Sequence, residues 1–317
     1  MCRDRSGAQN RWGRPNYFAD VNGDGRADAI VVNPNGVFVR LSDANGMMPA
    51  SSQRLWTTDG GFWGWMGTHF ADVNGDRRAD LIAVDPRGVA VRLSTGASFG
   101  PATFWYTGAY YGQRGTHFAD VNGDGRADAV AINNDRRVFV ALSDGRRFVR
   151  DKYWLATIPN DDRESKNYFA DVTGADPDGR RRADLVAVNL DGLVVCPALV
   201  GGGFGSCRNW TWDMSLGSRG RFFADYNGDG RDDAILIDGP DGTYGDVRVR
   251  LSNGQSFGFE RWQISGLRSE RGIQFANVDS NAAAEAIAIN NDGVWVMGAK
   301  SGVGLYNATG NAFYGLR

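Results

Sequence analysis

Short apolar runs rich in Val, Ile and Ala alternate along the whole chain with turns rich in Gly, Asn and Asp. Ala29-Ile30-Val31-Val32 is one such run. Its continuous apolar character predicts a strand buried on both faces. The turn Asn33-Pro34-Asn35-Gly36 follows, and then Val37-Phe38-Val39-Arg40-Leu41, whose β-branched and aromatic residues predict a further strand. A second turn, of the type Ser252-Asn253-Gly254, leads to a fourth strand that usually carries a Trp: Trp56, Trp105, Trp154, Trp210 and Trp262. No long segment has a period of 3.6 residues, so almost no helix is expected.

The pattern is a repeat. "YFADVNGDGRADAIVVN" begins at Tyr17, and close copies begin at His69, His117 and Phe222. Two copies diverge: one from Tyr168 carries a five-residue insertion, and one from Gln274 has lost several acids. The central Phe recurs at Phe18, Phe70, Phe118, Phe169, Phe223 and Phe275. A period of about 50 residues with four short strands per unit predicts an all-β fold: a six-bladed β-propeller with four-stranded antiparallel blades. One domain is expected over residues 1–317, with blades near 10–60, 61–108, 109–159, 160–213, 214–265 and 266–317. Residues 1–13 are a candidate outer strand for the last blade, and Gly304-Leu305-Tyr306 falls near that blade's fourth strand.

Charge and composition narrow the function. A net charge of −2 gives no footprint for nucleic acid or anionic membrane. No apolar run approaches the roughly 20 residues of a membrane span. Cys196 and Cys207 flank a Gly-rich turn at a spacing that suits a disulfide across a hairpin, and hence a secreted, extracellular protein; two unpaired small hydrophobes are the alternative. Cys2 is left over.

The loops carry the clearest chemistry. Asp20, Asn22, Asp24 and Asp28 put oxygen side chains at positions one, three, five and nine, and Arg26 at position seven offers its backbone carbonyl. Hard oxygen ligands at alternating positions suit calcium, and without a cation the carboxylates repel. The set recurs at Asp72, Asn74, Asp76, Arg78 and Asp80, where Arg77 replaces the Gly of the other copies. It recurs at Asp120, Asn122, Asp124, Arg126 and Asp128, and at Asp225, Asn227, Asp229, Arg231 and Asp233. The fourth loop keeps Asp171, Asp178 and Asp184 around its insertion. The sixth has Asn277, Asp279, Asn281 and Glu285, with weaker binding or none expected. About four to five structural Ca2+ sites follow. An EF-hand would need a Glu at position twelve, where Val31, Ala83, Ala131 and Leu236 stand.

The unit "FADVNGDGRADAIVVN" resembles the FG-GAP/VCBS repeat of integrin α-subunit propellers, fungal propeller lectins and secreted bacterial proteins, and "YYGQRGTHFADVNGDGRADAVAIN" is most similar to secreted actinobacterial lectin-type propellers. The resemblance covers essentially the whole chain. It implies calcium in the turn joining the first two strands of a blade. It leaves the ligand open, because lectins, adhesins and accessory domains of enzymes share the repeat.

No nucleophile elbow, zinc spacing or phosphate loop is present, so a binding protein rather than an enzyme is expected. A carboxylate-pair glycosidase stays open as the enzymatic alternative. His69 and His117 stand where other copies have Tyr17, Tyr168, Phe222 and Gln274, which marks a packing position. The linkers between blades vary most and carry aromatics. Phe62, Trp63, Trp65, Trp105, Tyr110, Tyr111, Arg114, Arg219 and Arg271 are the candidate ligand-binding residues. The linker rings suit the apolar faces of sugars, although the recurring fourth-strand Trp is foremost an inter-blade packing residue. The leading expectation is a calcium-stabilised secreted lectin. The alternatives are a protein-binding adhesin or assembly module, and an accessory propeller of a larger secreted enzyme or toxin.

Overall fold

The structure, a computed structural model, describes residues 16–57, 62–155, 157–159, 166–189, 192–211, 217, 220–239, 244–258, 261–270, 272–279, 281–290, 293–300 and 303–307. These form six four-stranded antiparallel sheets, each from consecutive strands. Blade one comprises Asn16–Ala19, Asp28–Asn33, Gly36–Arg40 and Arg54–Leu55. Blade two comprises Gly67–Ala71, Asp80–Asp85, Gly88–Arg92 and Thr103–Thr107, and blade three Gly115–Ala119, Asp128–Ile132, Val138–Ser143 and Phe148–Leu155. Blade four comprises Lys166–Ala170, Asp184–Asn189, Gly192–Cys196 and Arg208–Thr211, and blade five Gly220–Ala224, Asp233–Asp238, Tyr244–Arg250 and Arg261–Arg268. Blade six comprises Gly272–Ala276, Glu285–Asn290, Gly293–Lys300 and Val303–Asn307. The helix among the described residues is the single 3₁₀ turn Ala50–Ser52.

The second strand of each blade is buried because a neighbouring blade covers each face. The side chains that meet differ in size from one junction to the next. Ile82 and Val84 of blade two pack in one cluster with Ala129 and Ala131 of blade three. Ile287 and Ile289 of blade six meet Ala27 and Ala29 of blade one in the same way. At these two junctions large residues meet small ones, whereas Leu81 and Leu185 point back into the junctions before blades two and four.

Aromatic pairs stitch neighbouring blades. Trp56 of blade one lies 5.2 Å from Phe99 of blade two, Trp105 lies 5.4 Å from Phe148, and Trp210 lies 5.3 Å from Phe257. Nearer the axis, Tyr17 packs on Phe70, His69 on Phe118, His117 on Phe169, Tyr168 on Phe223 and Phe222 on Phe275, all at centroid distances of 5.0–5.2 Å. The position before the marker Phe is thus a packing position. Gln274 closes this circle differently, donating from Nε2 to the Asn16 carbonyl at 2.8 Å.

Ring closure uses no shared strand among the described residues. Blade six supplies its own fourth strand, Val303–Asn307. Blades six and one meet instead through a hydrogen bond from the Ala27 amide to the Asn277 carbonyl and through side chains, with Met48 and Ala27 packed against Val278 and Ile287. Cys2 and residues 1–13 lie outside the described residues. Trp105 is buried, so truncating it to Ala should destabilise the fold by about 3–5 kcal/mol. Denaturant unfolding of the variant checks this; a loss below about 1 kcal/mol would show that the Trp–Phe contacts are dispensable.

Candidate functional site

Each acidic loop folds around its first Asp. Asp20 Oδ1 accepts from the amides of Gly23 and Asp24, and Oδ2 accepts from Gly25 at 2.7 Å. Asn22 Oδ1 accepts from the Asp24 amide, and Asp24 Oδ1 from the Arg26 amide. The same bonds recur around Asp72, Asp120 and Asp225. This wrap needs a left-handed residue at position six, where Gly25, Gly125 and Gly230 have φ of 82° to 86°. Arg77 is held there at φ 67°, a strain of roughly 1–2 kcal/mol for a residue with a Cβ.

The loops also join the blades. The amide at position eight donates to the carbonyl at position one of the preceding loop: Ala79 to Asp20, Ala127 to Asp72, Ala183 to Asp120, Asp232 to Asp171, Ala284 to Asp225, and Ala27 to Asn277. These six bonds, 2.6–2.8 Å long, run full circle. A serine after the third strand adds a second tie. The Ser94 amide donates to Asp80 at 2.7 Å, while its hydroxyl donates to the Val21 carbonyl of the preceding blade at 2.5 Å. Ser143 and Ser252 repeat this arrangement.

The ninth-position carboxylate is the electrostatic centre. Asp28 is fully buried, held by the amides of Val21 and Ser42. Burial pushes its carboxyl up to about 7, and the nearby Asp24 and Asp20 charges push the same way. Asp80, Asp184 and Asp233 are likewise raised to about 7, and Asp128 to about 8, with burial as the main cause. Glu285 takes the ninth position in blade six and is raised to about 7 by burial.

The donor set of loops one, two, three and five fits a hard cation in its chemistry: oxygen ligands only, with a buried carboxylate short of positive charge. The side chains are not gathered into a ready-made cage. Among the described residues no three His, Cys, Asp or Glu side chains stand together as a metal site. Instead the position-seven arginine turns onto position five, pairing Arg26 with Asp24, Arg78 with Asp76, Arg126 with Asp124 and Arg231 with Asp229. The sequence suggested only a carbonyl donor at these arginines; their guanidinium groups are local counter-charges as well.

Blade four differs. Its insertion brings Arg182 onto Asp176 and Asp178, and Arg181 onto Asp171. The Asp171 amide donates to the carboxylate of Asp232, a residue the sequence did not single out, whose own carboxyl burial raises to about 6. In blade six, the Asn281 amide nitrogen bridges Asp279 and Glu285.

The linkers lie on the opposite face of the disc, with the turns between second and third strands. The Trp65 amide donates to Asp85 Oδ1 at 3.0 Å, and the Asn134 amide to Gln113 Oε1 at 3.0 Å. Trp65 is 77% exposed and Met66 45%. Phe62 is half-buried beneath the Arg92 guanidinium, 4.9 Å from its ring centre. Trp63, Tyr111 and Arg114 are half-buried, Trp63 and Tyr111 against the cores of blades one and two. Two candidates are turned inward. Trp105 is buried against Phe148. Tyr110 is buried with its hydroxyl 2.8 Å from the Ala129 carbonyl, to which it donates. Both are therefore packing residues, because their rings fill inter-strand space that a ligand cannot enter. Arg219 and Arg271 lie outside the described residues.

His69 and His117 lie between neighbouring blades. Burial holds both imidazoles down at about 4, and each packs at a tilt against the next blade's Phe. Cys196 and Cys207 form a disulfide with sulfurs 2.01 Å apart. No helix of the described residues is long and apolar enough to cross a membrane.

This architecture is a six-bladed β-propeller whose turns bind the blades into a ring. A family model described as the FG-GAP-like repeat matches residues 20–83 and 72–131, a stretch that runs from the first acidic loop to the second strand of blade three. No curated protein matches it. Among solved structures it is similar to an Agrocybe aegerita lectin that recognises non-reducing terminal N-acetylglucosamine, with 22% identity and a TM-score of 0.63, over 94% of this chain and 80% of that one. It is also similar to part of the Photorhabdus luminescens Tc holotoxin pore, with 19% identity and a TM-score of 0.58, over 86% of this chain and 13% of that one. At these identities the likeness is one of fold.

The raised carboxyls set a pH dependence. In the folded chain Asp28, Asp80 and Asp233 hold protons up to about pH 7, whereas unfolded they release them near 3.8. Between those values the folded state binds more protons, so stability falls as pH rises. Thermal melting in chelator should drop steadily from pH 5 to pH 8; a curve that rises across this window contradicts the assignment.

Proposed function

We propose that the chain is a secreted carbohydrate-binding propeller whose acidic loops are held by calcium, with its principal sugar site at the linker entering blade two. The observation that carries the reading is Trp65, a large ring left 77% exposed on a turn whose backbone is pinned to Asp85. A rigidly presented indole stacks on the apolar face of a pyranose, and polar neighbours then hold hydroxyl groups. Met66 and the Phe62–Arg92 pair extend the surface. The Agrocybe lectin, a propeller of similar fold, adds support. The disulfide favours an extracellular setting.

This site is less repeated than the linker alignment suggests. The place of Trp65-Met66 is taken by Gln113-Arg114 in the next blade. The fold likeness to part of a toxin complex supports a second reading, in which the same surface docks a protein.

Calcium in loops one, two, three and five would neutralise the buried ninth-position carboxylates. With free calcium at about 100 times Kd, each site adds about 2.7 kcal/mol. Calcium should therefore raise the melting temperature more at pH 7.5, where it replaces lost protons, than at pH 5. An equal shift at both pH values, or none, overturns the calcium assignment. For the sugar site, a glycan array with free-sugar competition is the test. Trp65→Ala should weaken array binding at least about tenfold while leaving the melting temperature nearly unchanged. Undiminished binding excludes this linker, and a silent array with a stoichiometric protein partner supports the docking reading.

A further inference from the structure

The loop of blade four has the same positions as the others but different chemistry. Position one is Asp171, position three is Thr173, position seven is Arg182 and position nine is Asp184, with the insertion between them. Arg182 is only 3% exposed. Its Nη1 donates to Asp176 Oδ2 at 2.6 Å and to Asp178 Oδ1 at 3.0 Å, and its Nη2 donates to Asp178 Oδ2 at 2.6 Å. Its Nε donates to the Asn122 carbonyl of blade three at 3.0 Å. Arg181 Nε donates to Asp171 Oδ2 at 2.5 Å.

The ligand oxygens are also spoken for. In the other clean loops position three is an Asn whose carbonyl faces the turn. In blade four it is a hydroxyl that donates to Asp184 Oδ2 at 2.9 Å. Asp184 accepts further bonds from the amides of Val172, Thr173 and Ala198. By contrast, Arg78 of blade two has its side chain 32% exposed and reaches one loop carboxylate, Asp76.

We propose that Arg181 and Arg182 take the place of a metal ion in blade four: the Arg182 guanidinium bridges Asp176 and Asp178, the Arg181 guanidinium pairs with Asp171, and the loop takes no calcium. A guanidinium is charged at all working pH values and offers a planar fork of donors matched to carboxylates. The five inserted residues provide Asp176 and Asp178, which give that fork its partners, and the Nε bond carries the same group across to blade three. Blade four is thereby locked without a cation, and the blade three–four junction stays closed when calcium is withdrawn. The exclusion of calcium rests on the reading that the clean loops take it; the guanidinium bridge itself does not.

Two measurements test this. Arg182→Gln and Arg78→Gln are compared by melting temperature in chelator. The bridge requires the Arg182 variant to lose at least twice as much, with no recovery on adding calcium; equal losses, or recovery with calcium, overturn it. Calcium is then counted by isothermal titration calorimetry on the wild type, Asp178→Asn and Asp76→Asn. The expected result is an unchanged count for Asp178→Asn and one ion fewer for Asp76→Asn; one ion fewer for Asp178→Asn overturns the proposal. If the wild type binds no calcium, the calcium reading of the other loops fails, and the Arg182 comparison still decides the bridge. Should Arg182→Gln fail to fold, hydrogen exchange on the wild type decides. Unchanged protection of the Val172, Thr173 and Ala183 amides on chelation supports the lock, and their selective loss overturns it.

Discussion

The architecture depends on a circle of backbone hydrogen bonds between neighbouring acidic loops. Each position-eight amide reaches the position-one carbonyl of the loop before it, and the sixth bond joins Ala27 to Asn277 across the ends of the repeat array. A single such bond contributes only about 1 kcal/mol net. Together they fix the angle between successive blades, because loop and strand are rigidly joined. The faces of the second strands and the Trp–Phe pairs then have one way to interlock. The same loops carry the charges, so the electrostatics of the turn and the closure of the ring are one problem.

That problem is a buried carboxylate in every blade. Asp80, Asp128 and Asp233 accept amide bonds from their own turn and from a serine that ties to the previous blade. In these blades the position cannot be made apolar without losing the bonds to both. Burial then makes the charge costly, and the chain meets the cost in different ways. The clean loops place an arginine against position five and keep an oxygen-only donor set. Blade four sets Arg182 between Asp176 and Asp178 and Arg181 on Asp171, and blade six drops the first carboxylate and uses an asparagine side-chain amide as the bridge.

Blade number, strand order and the packing role of the recurring Trp and of His69 and His117 were legible in the sequence, because repetition averages out local ambiguity. The linker was less so. Tyr110 and Tyr111 are adjacent aromatics, as are Trp63 and Trp65 across one glycine, yet one pair ends in the core and against it while Trp65 stands in solvent. What decides is the direction of the turn, fixed by bonds such as Trp65 to Asp85 that no local pattern announces. Ring closure was invisible for another reason. It uses a backbone amide, which any residue except proline supplies, so Ala27 and Asp232 do the same task. The arginine at position seven did leave a signal: it stands two residues before the ninth-position acid in five of the six loops, which a carbonyl donor alone does not require.

The acidic loops and the exposed linker lie on opposite faces of the disc, so whatever steadies the ring is kept apart from whatever Trp65 contacts. The central claim is that the six loop-to-loop bonds form one closed cooperative circle. Native-state hydrogen exchange of the amides of Ala27, Ala79, Ala127, Ala183, Asp232 and Ala284 tests it most directly. All six are expected to exchange together, with the free energy of global unfolding. Exchange of Ala27 far ahead of the others would contradict it, because the circle would then be open where the first and last blades meet.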